Sequence, residues 1–413
     1  MSFDPVFRAY DASEKSIRET VPNVPYTFAN NSLLKTSSLF IKWLEVYREF
    51  AKGYSKELLT RTTYYILRWL SSSGDTCERK FREIVDAKIP PEAYILLSEF
   101  FDKLGHGSIA FVLAEGSHFE QTSIYSQLSE TLRSLSYPRP LSGSSKIDMT
   151  IKDVQSRDVF VFYYERGQSD NVLAWPLLLH EGFHPIYVNE KLHRVARNCP
   201  DVPWLDEALI DIYITNFFGP AYAMSLATYL QRFPYEVSIS HPSFSSRIFI
   251  ALQYLTILQS ESRLPQQVGS HVSKVFHYLK DIWDQHKAIN AKDVQETVET
   301  IYNSAEGDIR RVISEKTKPF VDFLLEIERK RKEVLDSTDV DYPEREILSI
   351  SDVVEYFEHG IPIAADPRIL FNSFMSEAYQ KMATEPALNI FITESLKKWH
   401  VKNAWLRAKE GVS

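Results

Sequence analysis

One short stretch of the sequence carries residue types and a spacing that suit metal-dependent hydrolysis. Residues 177–184 read Leu-Leu-Leu-His-Glu-Gly-Phe-His, an H-E-x-x-H pattern behind an apolar run. On a helix, His180 and His184 lie four residues apart on one face, so both imidazoles can bind one metal ion. Glu181 follows the first histidine directly, which lets its carboxylate reach a water on that metal. The pattern predicts a metal-activated water with Glu181 as its general base.

A second helical segment offers the third protein ligand that a hydrolytic zinc site needs beside its open position. Residues 204–213 are predicted to form a helix in which Glu207 and Asp211 lie four residues apart on one face. Like charges at this spacing repel each other unless a cation lies nearby. We therefore expect Glu207, 23 residues after His184, to bind zinc. Asp211 is expected to accept the other ring N–H of a ligand histidine.

With these acids the pattern resembles the gluzincins, the thermolysin-like zinc peptidases whose third ligand is a glutamate on a following helix. The resemblance covers roughly residues 158–250. It implies a zinc-dependent peptidase with a zincin-like core, in which a strand edge lies beside the metal helix. An extended substrate can add to such an edge through main-chain hydrogen bonds.

A narrower likeness concerns the HtpX and CAAX-prenyl protease group, which carries a later His-Pro followed by Arg. His241-Pro242 with Arg247 is similar to that pattern. The likeness implies that His241 or Arg247 faces the scissile carbonyl and stabilises the oxyanion. The sequence departs from that group because it shows no apolar window long enough for a membrane span. As an alternative, His241 is a residue of a helix N-terminal turn.

Other residues compete for the same roles. Glu190 lies six residues after His184, where the metzincins place their third ligand, but that layout needs glycine where this chain has Tyr187. Tyr213 and Tyr222 are further candidates to donate to a tetrahedral intermediate. The 22 tyrosines of the chain make either choice weak.

Composition restricts the class of protein. The 413 residues are 44% hydrophobic with a net charge of −8 and interspersed charges, which favours a folded, soluble protein over a nucleic-acid surface. The two cysteines, Cys77 and Cys199, form no disulfide framework and suit a reducing compartment. The N-terminus lacks a basic region followed by an apolar one. We expect a cytoplasmic protein without a membrane span or nucleic-acid partner.

Periodicity predicts mostly helices around this stretch. Residues 1–32 are expected to be largely irregular with one short helix, and helices are expected near 58–70, 76–87, 91–104, 122–135, 221–230, 268–287 and 292–335. Apolar runs at 109–113 and 158–164 predict strands. Pro185 disfavours the helical conformation at His184, although the spacing of the two histidines can survive a kink.

The sequence thus predicts a mainly α (α+β) fold with a small sheet. Three regions are expected: an N-terminal helical region (1–105), a catalytic core (106–260) and a C-terminal helical region (261–413). The leading hypothesis is a zinc metallopeptidase that acts on peptides or proteins. A catalytically silent, protein-binding scaffold and a zinc amidohydrolase acting on a non-peptide amide are the alternatives.

Overall fold

The chain divides into two compact units. The first comprises Met1–Tyr94 and Ser108–Ser169, and the second comprises Ile95–Gly107 and Asp170–Ser413. The structure is a computed structural model. It describes residues 4–20, 30–55, 77–84, 90–116, 119–126, 159–165, 168, 171–190, 192, 204–230, 242–260, 264, 266–286, 296, 299–300, 303, 319–336, 348–374 and 386–409.

In the first unit, helices α1 (Asp4–Thr20) and α2 (Asn30–Ser55) pack together through aromatic side chains. The Tyr10 and Tyr47 rings stack with their centroids 6.3 Å apart, and Trp43 lies 5.8 Å from Tyr47. Cys77 belongs to the same buried cluster, and burial raises the pKa of its thiol, so it is an inert core residue.

The sheet of the first unit has three strands: β1 (Phe111–Gly116), β2 (Glu120–Ser123) and β3 (Phe160–Glu165). β3 lies in the middle, parallel to β1 and antiparallel to β2. The first four residues of β1 are buried in succession, which is typical of a strand covered on both faces, whereas β3 buries Val161, Phe162 and Tyr164.

Helix α3 (Pro91–Lys103) begins in the first unit and ends in the second, and the described residues of the second unit are otherwise almost entirely helical. Its helices in chain order are α4 (Leu177–Asn189), α5 (Leu205–Phe218), α6 (Pro220–Leu230), α7 (Phe244–Ser260), α8 (Gln266–His286), α9 (Phe320–Asp336), α10 (Ile350–Glu358), α11 (Pro367–Asn372) and α12 (Pro386–Lys409).

The H-E-x-x-H stretch lies on α4, which remains helical through Pro185. Proline cannot donate to the carbonyl four residues earlier, so one helical hydrogen bond is lost without ending the helix. Gly182 lets α4 approach α3 closely. A Cβ added there would lie 2.9 Å from Leu97 and 3.5 Å from Phe100 and Phe101. His180 and His184 therefore lie on a helix whose opposite face packs tightly against α3.

A sharp break separates α5 from α6. Gly219 adopts φ 92° and ψ −165°, a conformation open essentially to glycine alone. A Cβ at Gly219 would also lie 2.7–2.8 Å from the Phe320 ring at the start of α9. Pro220 then begins α6, where its missing N–H is tolerated.

The predicted fold class, mainly α with a small sheet, is confirmed, and so are the two predicted strands with shifted ends. Two local predictions are wrong: residues 4–20 form one long helix, and residues 122 and 123 belong to β2 rather than to a helix. The predicted helix at 58–70 lies outside the described residues. The first unit groups Ser108–Ser169 with Met1–Tyr94, and the three regions with their bounds stay a prediction. Within the described ranges, no helix is both long and apolar enough to cross a membrane.

Candidate metal centre

The structure brings the two histidines of α4 to one carboxylate of α5. His180 Nε2 lies 2.8 Å from Glu207 Oε2, and His184 Nε2 lies 3.6 Å from Glu207 Oε1. The imidazole rings themselves are nearly perpendicular, with centroids 5.0 Å apart. Helical spacing explains the pair, and the crossing of α4 and α5 explains why Glu207 faces it.

Glu181 lies on the same side of α4 as the donor atoms. Its Oε2 is 4.0 Å from His184 Nε2. One donor atom each from His180, Glu181 and His184 fall within 4.8 Å of one another, which makes them a group able to hold a metal ion. The carboxylate that the sequence assigns to proton transfer is thus adjacent to the predicted ligands.

Asp211 occupies the opposite side of the His180 ring. Its Oδ1 lies 2.9 Å from His180 Nδ1, one helical turn beyond Glu207 on α5. Asp211 is completely buried. The Nδ1–H of His180 donates to Asp211, which leaves Nε2 directed at Glu207 and fixes the orientation of the ring.

Arg247 and Tyr222 complete the surroundings of Asp211. Arg247 Nε donates to Oδ2 at 2.6 Å and Nη2 donates to Oδ1 at 2.7 Å, a two-point ion pair. Tyr222 O–H donates to Oδ1 at 2.6 Å and lies 3.2 Å from His180 Nδ1. The likeness that assigned Arg247 to an oxyanion did not anticipate this pair. In this structure the Arg247 guanidinium donates to Asp211, and its role beside an oxyanion stays a prediction.

The buried charges favour a protonated His180 in the metal-free protein. Burial disfavours the charged ring, but the charges and hydrogen bonds of Asp211 and Glu207 outweigh burial and raise the pKa of His180 to about 10. Burial and the charge of His180 together lower the pKa of His184 to about 4. One imidazolium therefore lies beside one neutral imidazole.

The carboxylates remain ionised despite being buried. Burial alone favours the protonated form of Glu207, but the hydrogen bond and charge of His180 lower its pKa to about 2. Arg247 and His180 likewise hold the pKa of Asp211 well below its ordinary value against the effect of burial. Burial and the neighbouring Asp211 charge raise the pKa of Tyr222 well above its ordinary value, so this hydroxyl keeps its proton.

The chemical type and the number of the donor atoms of His180, His184 and Glu207 suit zinc. Two imidazole nitrogens and one carboxylate are a common three-residue set for hydrolytic zinc. Tetrahedral zinc separates its ligand atoms by about 3.3 Å, as follows from bonds of about 2.0–2.1 Å. The 3.6 Å separation of His184 and Glu207 fits this value. The 2.8 Å separation of His180 and Glu207 is that of a hydrogen bond, whose proton a metal ion would replace.

The remaining candidates from the sequence have different outcomes. His241 is outside the described residues. Glu190 Oε1 lies 3.2 Å from His106 Nε2 at the end of α4, so the structure pairs it with another histidine. Tyr213 stacks on Phe183 with ring centroids 5.3 Å apart. Tyr222 was indistinguishable from the other tyrosines in sequence because its contact with Asp211 depends on how α6 follows α5.

No family model matches the chain, and no curated protein or solved structure matches it either.

Proposed function

We propose that this protein is a zinc-dependent metallopeptidase. One observation carries the proposal: His180, His184 and Glu207 converge from two helices, with Glu181 beside them. Residues placed at random on two helices have no reason to form a zinc donor set with an adjacent base. The support is independent of the resemblance to gluzincins because it rests on distances in this chain.

The roles of the side chains follow from their positions. His180, His184 and Glu207 would hold the zinc ion, which would supply a water of lowered pKa and a Lewis acid for the substrate carbonyl. Glu181 takes a proton from the attacking water and passes it to the leaving amine. Asp211 holds His180 in the tautomer that leaves Nε2 free of its proton. The oxyanion role remains a prediction for His241 or Arg247.

A glutamine at position 181 tests the mechanism. Glu181→Gln keeps the size of the side chain but cannot accept a proton, and it leaves the three predicted ligands in place. We expect the variant to retain zinc, measured by elemental analysis, and to lose about 10²–10⁴-fold in turnover. Turnover is measured by mass spectrometry on a degenerate peptide library with zinc-loaded protein.

The same substitution nine residues later is the matched control. Glu190→Gln removes a carboxylate from the end of the same helix, where it pairs with His106. We expect this variant to keep both zinc and activity. Full activity in Glu181→Gln contradicts the mechanism, whereas loss of zinc in Glu190→Gln supports the metzincin layout instead.

One specific observation favours a second candidate function, a non-catalytic scaffold. His180 and Arg247 carry two positive charges, Glu207 and Asp211 carry two negative ones, and these groups satisfy one another through hydrogen bonds. Such a cluster is a complete buried polar network without any ion. Under this hypothesis, added zinc neither binds stoichiometrically nor raises the melting temperature.

The remaining alternative keeps the zinc chemistry and changes the substrate. A zinc amidohydrolase gives no cleavage of the peptide library but hydrolyses non-peptide amides with the same dependence on Glu181. Parallel assays on acetylated amines and acyl amino acids therefore separate it from a peptidase.

A further inference from the structure

A side chain from near the end of the chain closes the break between α5 and α6. Asn372, the last residue of α11, is completely buried at this point. Its Oδ1 accepts the Ala221 N–H at 2.9 Å, and its Nδ2 donates to the Phe218 carbonyl at 2.8 Å. These are terminal backbone groups of α6 and α5 that lack partners within their own helices. One carboxamide thus bridges both helix ends across Gly219.

The junction sets the direction of α6 relative to α5, and with it the contact between Tyr222 and Asp211. Asp211 lies about two turns before the break on α5, and Tyr222 lies in the first turn of α6. The Tyr222 hydroxyl donates to Asp211 at 2.6 Å, and Asp211 lies 2.9 Å from His180 Nδ1. Because this contact spans the break, a change in the direction of α6 moves Tyr222 away from Asp211.

Asn372 is itself held firmly by α11. Its Nδ2 also donates to the Arg368 carbonyl at 2.6 Å. The Arg368 guanidinium lies 3.4 Å from the centre of the Phe323 ring and 5.1 Å from that of Phe217 on α5. Asp366 caps α11 and lies 3.0 Å from Lys103 at the end of α3. The carboxamide is therefore presented from a fixed element rather than from a loose loop.

We propose that Asn372 is a positioning residue of the metal centre, which sets the α5–α6 junction so that Tyr222 and Asp211 hold His180. Its importance for catalysis rests on the proposed function. The contacts that it controls already exist in the metal-free protein and are measurable without zinc.

Asn372→Leu tests the proposal because leucine has a similar volume and offers neither hydrogen bond. Ser395→Ala is the matched control: it removes another buried side chain that accepts a backbone N–H, that of Ile363 at 3.1 Å, on α12. The first measurement is the NMR resonance of the His180 ring N–H in metal-free protein, assigned by its loss in His180→Gln. The second is zinc affinity by competition with a chelator.

We expect Asn372→Leu to move or broaden the His180 resonance and to weaken zinc binding by about 10-fold or more, as for other partners of ligand side chains. Ser395→Ala is expected to lower the melting temperature while leaving both quantities unchanged. If Asn372→Leu lowers the melting temperature but leaves the resonance in place, Asn372 is merely structural and the proposal fails.

Two further results keep the test decisive. If Asn372→Leu does not fold, the smaller change Asn372→Ser is measured in the same way, and the same shift of the resonance is required. If the unmodified protein binds no zinc but Asn372→Leu moves the resonance, the proposed function falls while the positioning role stands.

Discussion

At the scale of single residues, the centre consists of four charged side chains in contact with one another. They are His180, Arg247, Glu207 and Asp211. Asp211 accepts hydrogen bonds from Arg247 and Tyr222 as well as His180. Glu207 accepts one from the other ring nitrogen of His180. Breaking a buried ion pair by removing one partner leaves an uncompensated charge in a medium that solvates it poorly. The cluster should therefore be sensitive to single substitutions.

Replacing Arg247 tests this sensitivity. Arg247→Met retains an unbranched apolar side chain and removes both hydrogen bonds to Asp211. We expect the free energy of unfolding of the metal-free protein in urea to fall by about 3–5 kcal/mol. Arg329→Met is the control, because the Arg329–Glu333 pair is 62% and 59% exposed and is worth at most about 1 kcal/mol. Equal losses in both variants would show that Asp211 is not truly desolvated.

The stability of the metal-free protein should depend on pH with a maximum near pH 6.5. His180 has its pKa raised to about 10 from the ordinary 6.5, so its contribution is complete below pH 6.5 and is lost as pH rises towards 10. His184 has its pKa lowered to about 4, so its contribution is complete above pH 6.5 and is lost as pH falls towards 4. Each limb has a slope of at most about 1.4 kcal/mol per pH unit, one proton's worth.

Urea unfolding with a chelator across this range measures both limbs. His180→Gln is expected to flatten the alkaline limb and His184→Gln the acidic one. His277→Gln, at an exposed position of α8 outside the centre, is the matched control for replacing a histidine by glutamine. An alkaline limb that survives in His180→Gln contradicts the assignment.

At the scale of elements, the break at Gly219 decides how α5 and α6 relate. Gly219→Ala places a side chain in a backbone region that costs about 1–3 kcal/mol for residues other than glycine. It also crowds the Phe320 ring. We expect a loss of at least this size in the free energy of unfolding.

A second glycine gives the opposite result and serves as the control. Gly269 lies within α8, where an added Cβ meets nothing within 4 Å. Gly269→Ala should therefore stabilise the protein by up to about 1 kcal/mol through its higher helix propensity. If both alanine variants shift stability in the same direction, the conformation at Gly219 is not the cause.

Elements also show where sequence reasoning succeeds and where it stops. Spacing within one helix places His180 and His184 on one face of α4, and Glu207 and Asp211 on one face of α5, so these pairs were predictable. The contact between the two faces depends on the crossing of α4 and α5. Strand β2 was missed because Glu-Gln-Thr-Ser has no apolar run, and pairing with β3 determines its conformation. The partner of Arg247 depends on the packing of α7 against α5, and no local pattern contains that information.

At the scale of the whole molecule, every described residue of the centre belongs to the second unit. A ligand that binds only the folded state stabilises what it binds. We expect added zinc to increase hydrogen-exchange protection in α4, α5 and α6, and to leave α1 and α2 of the first unit unchanged. Mass spectrometry of exchanged peptides measures this, with magnesium as the control ion. Equal protection of α1 would mean that both units unfold as one.

The contact between Asn372 and Ala221 also has a consequence for the nascent chain during translation. The two residues are 151 positions apart. At about 5–20 residues per second, a ribosome needs roughly 8–30 s to synthesise the intervening chain. During that interval the H-E-x-x-H helix has already emerged while the carboxamide that closes the α5–α6 junction does not yet exist. Completion of the centre therefore waits until residue 372 has been synthesised.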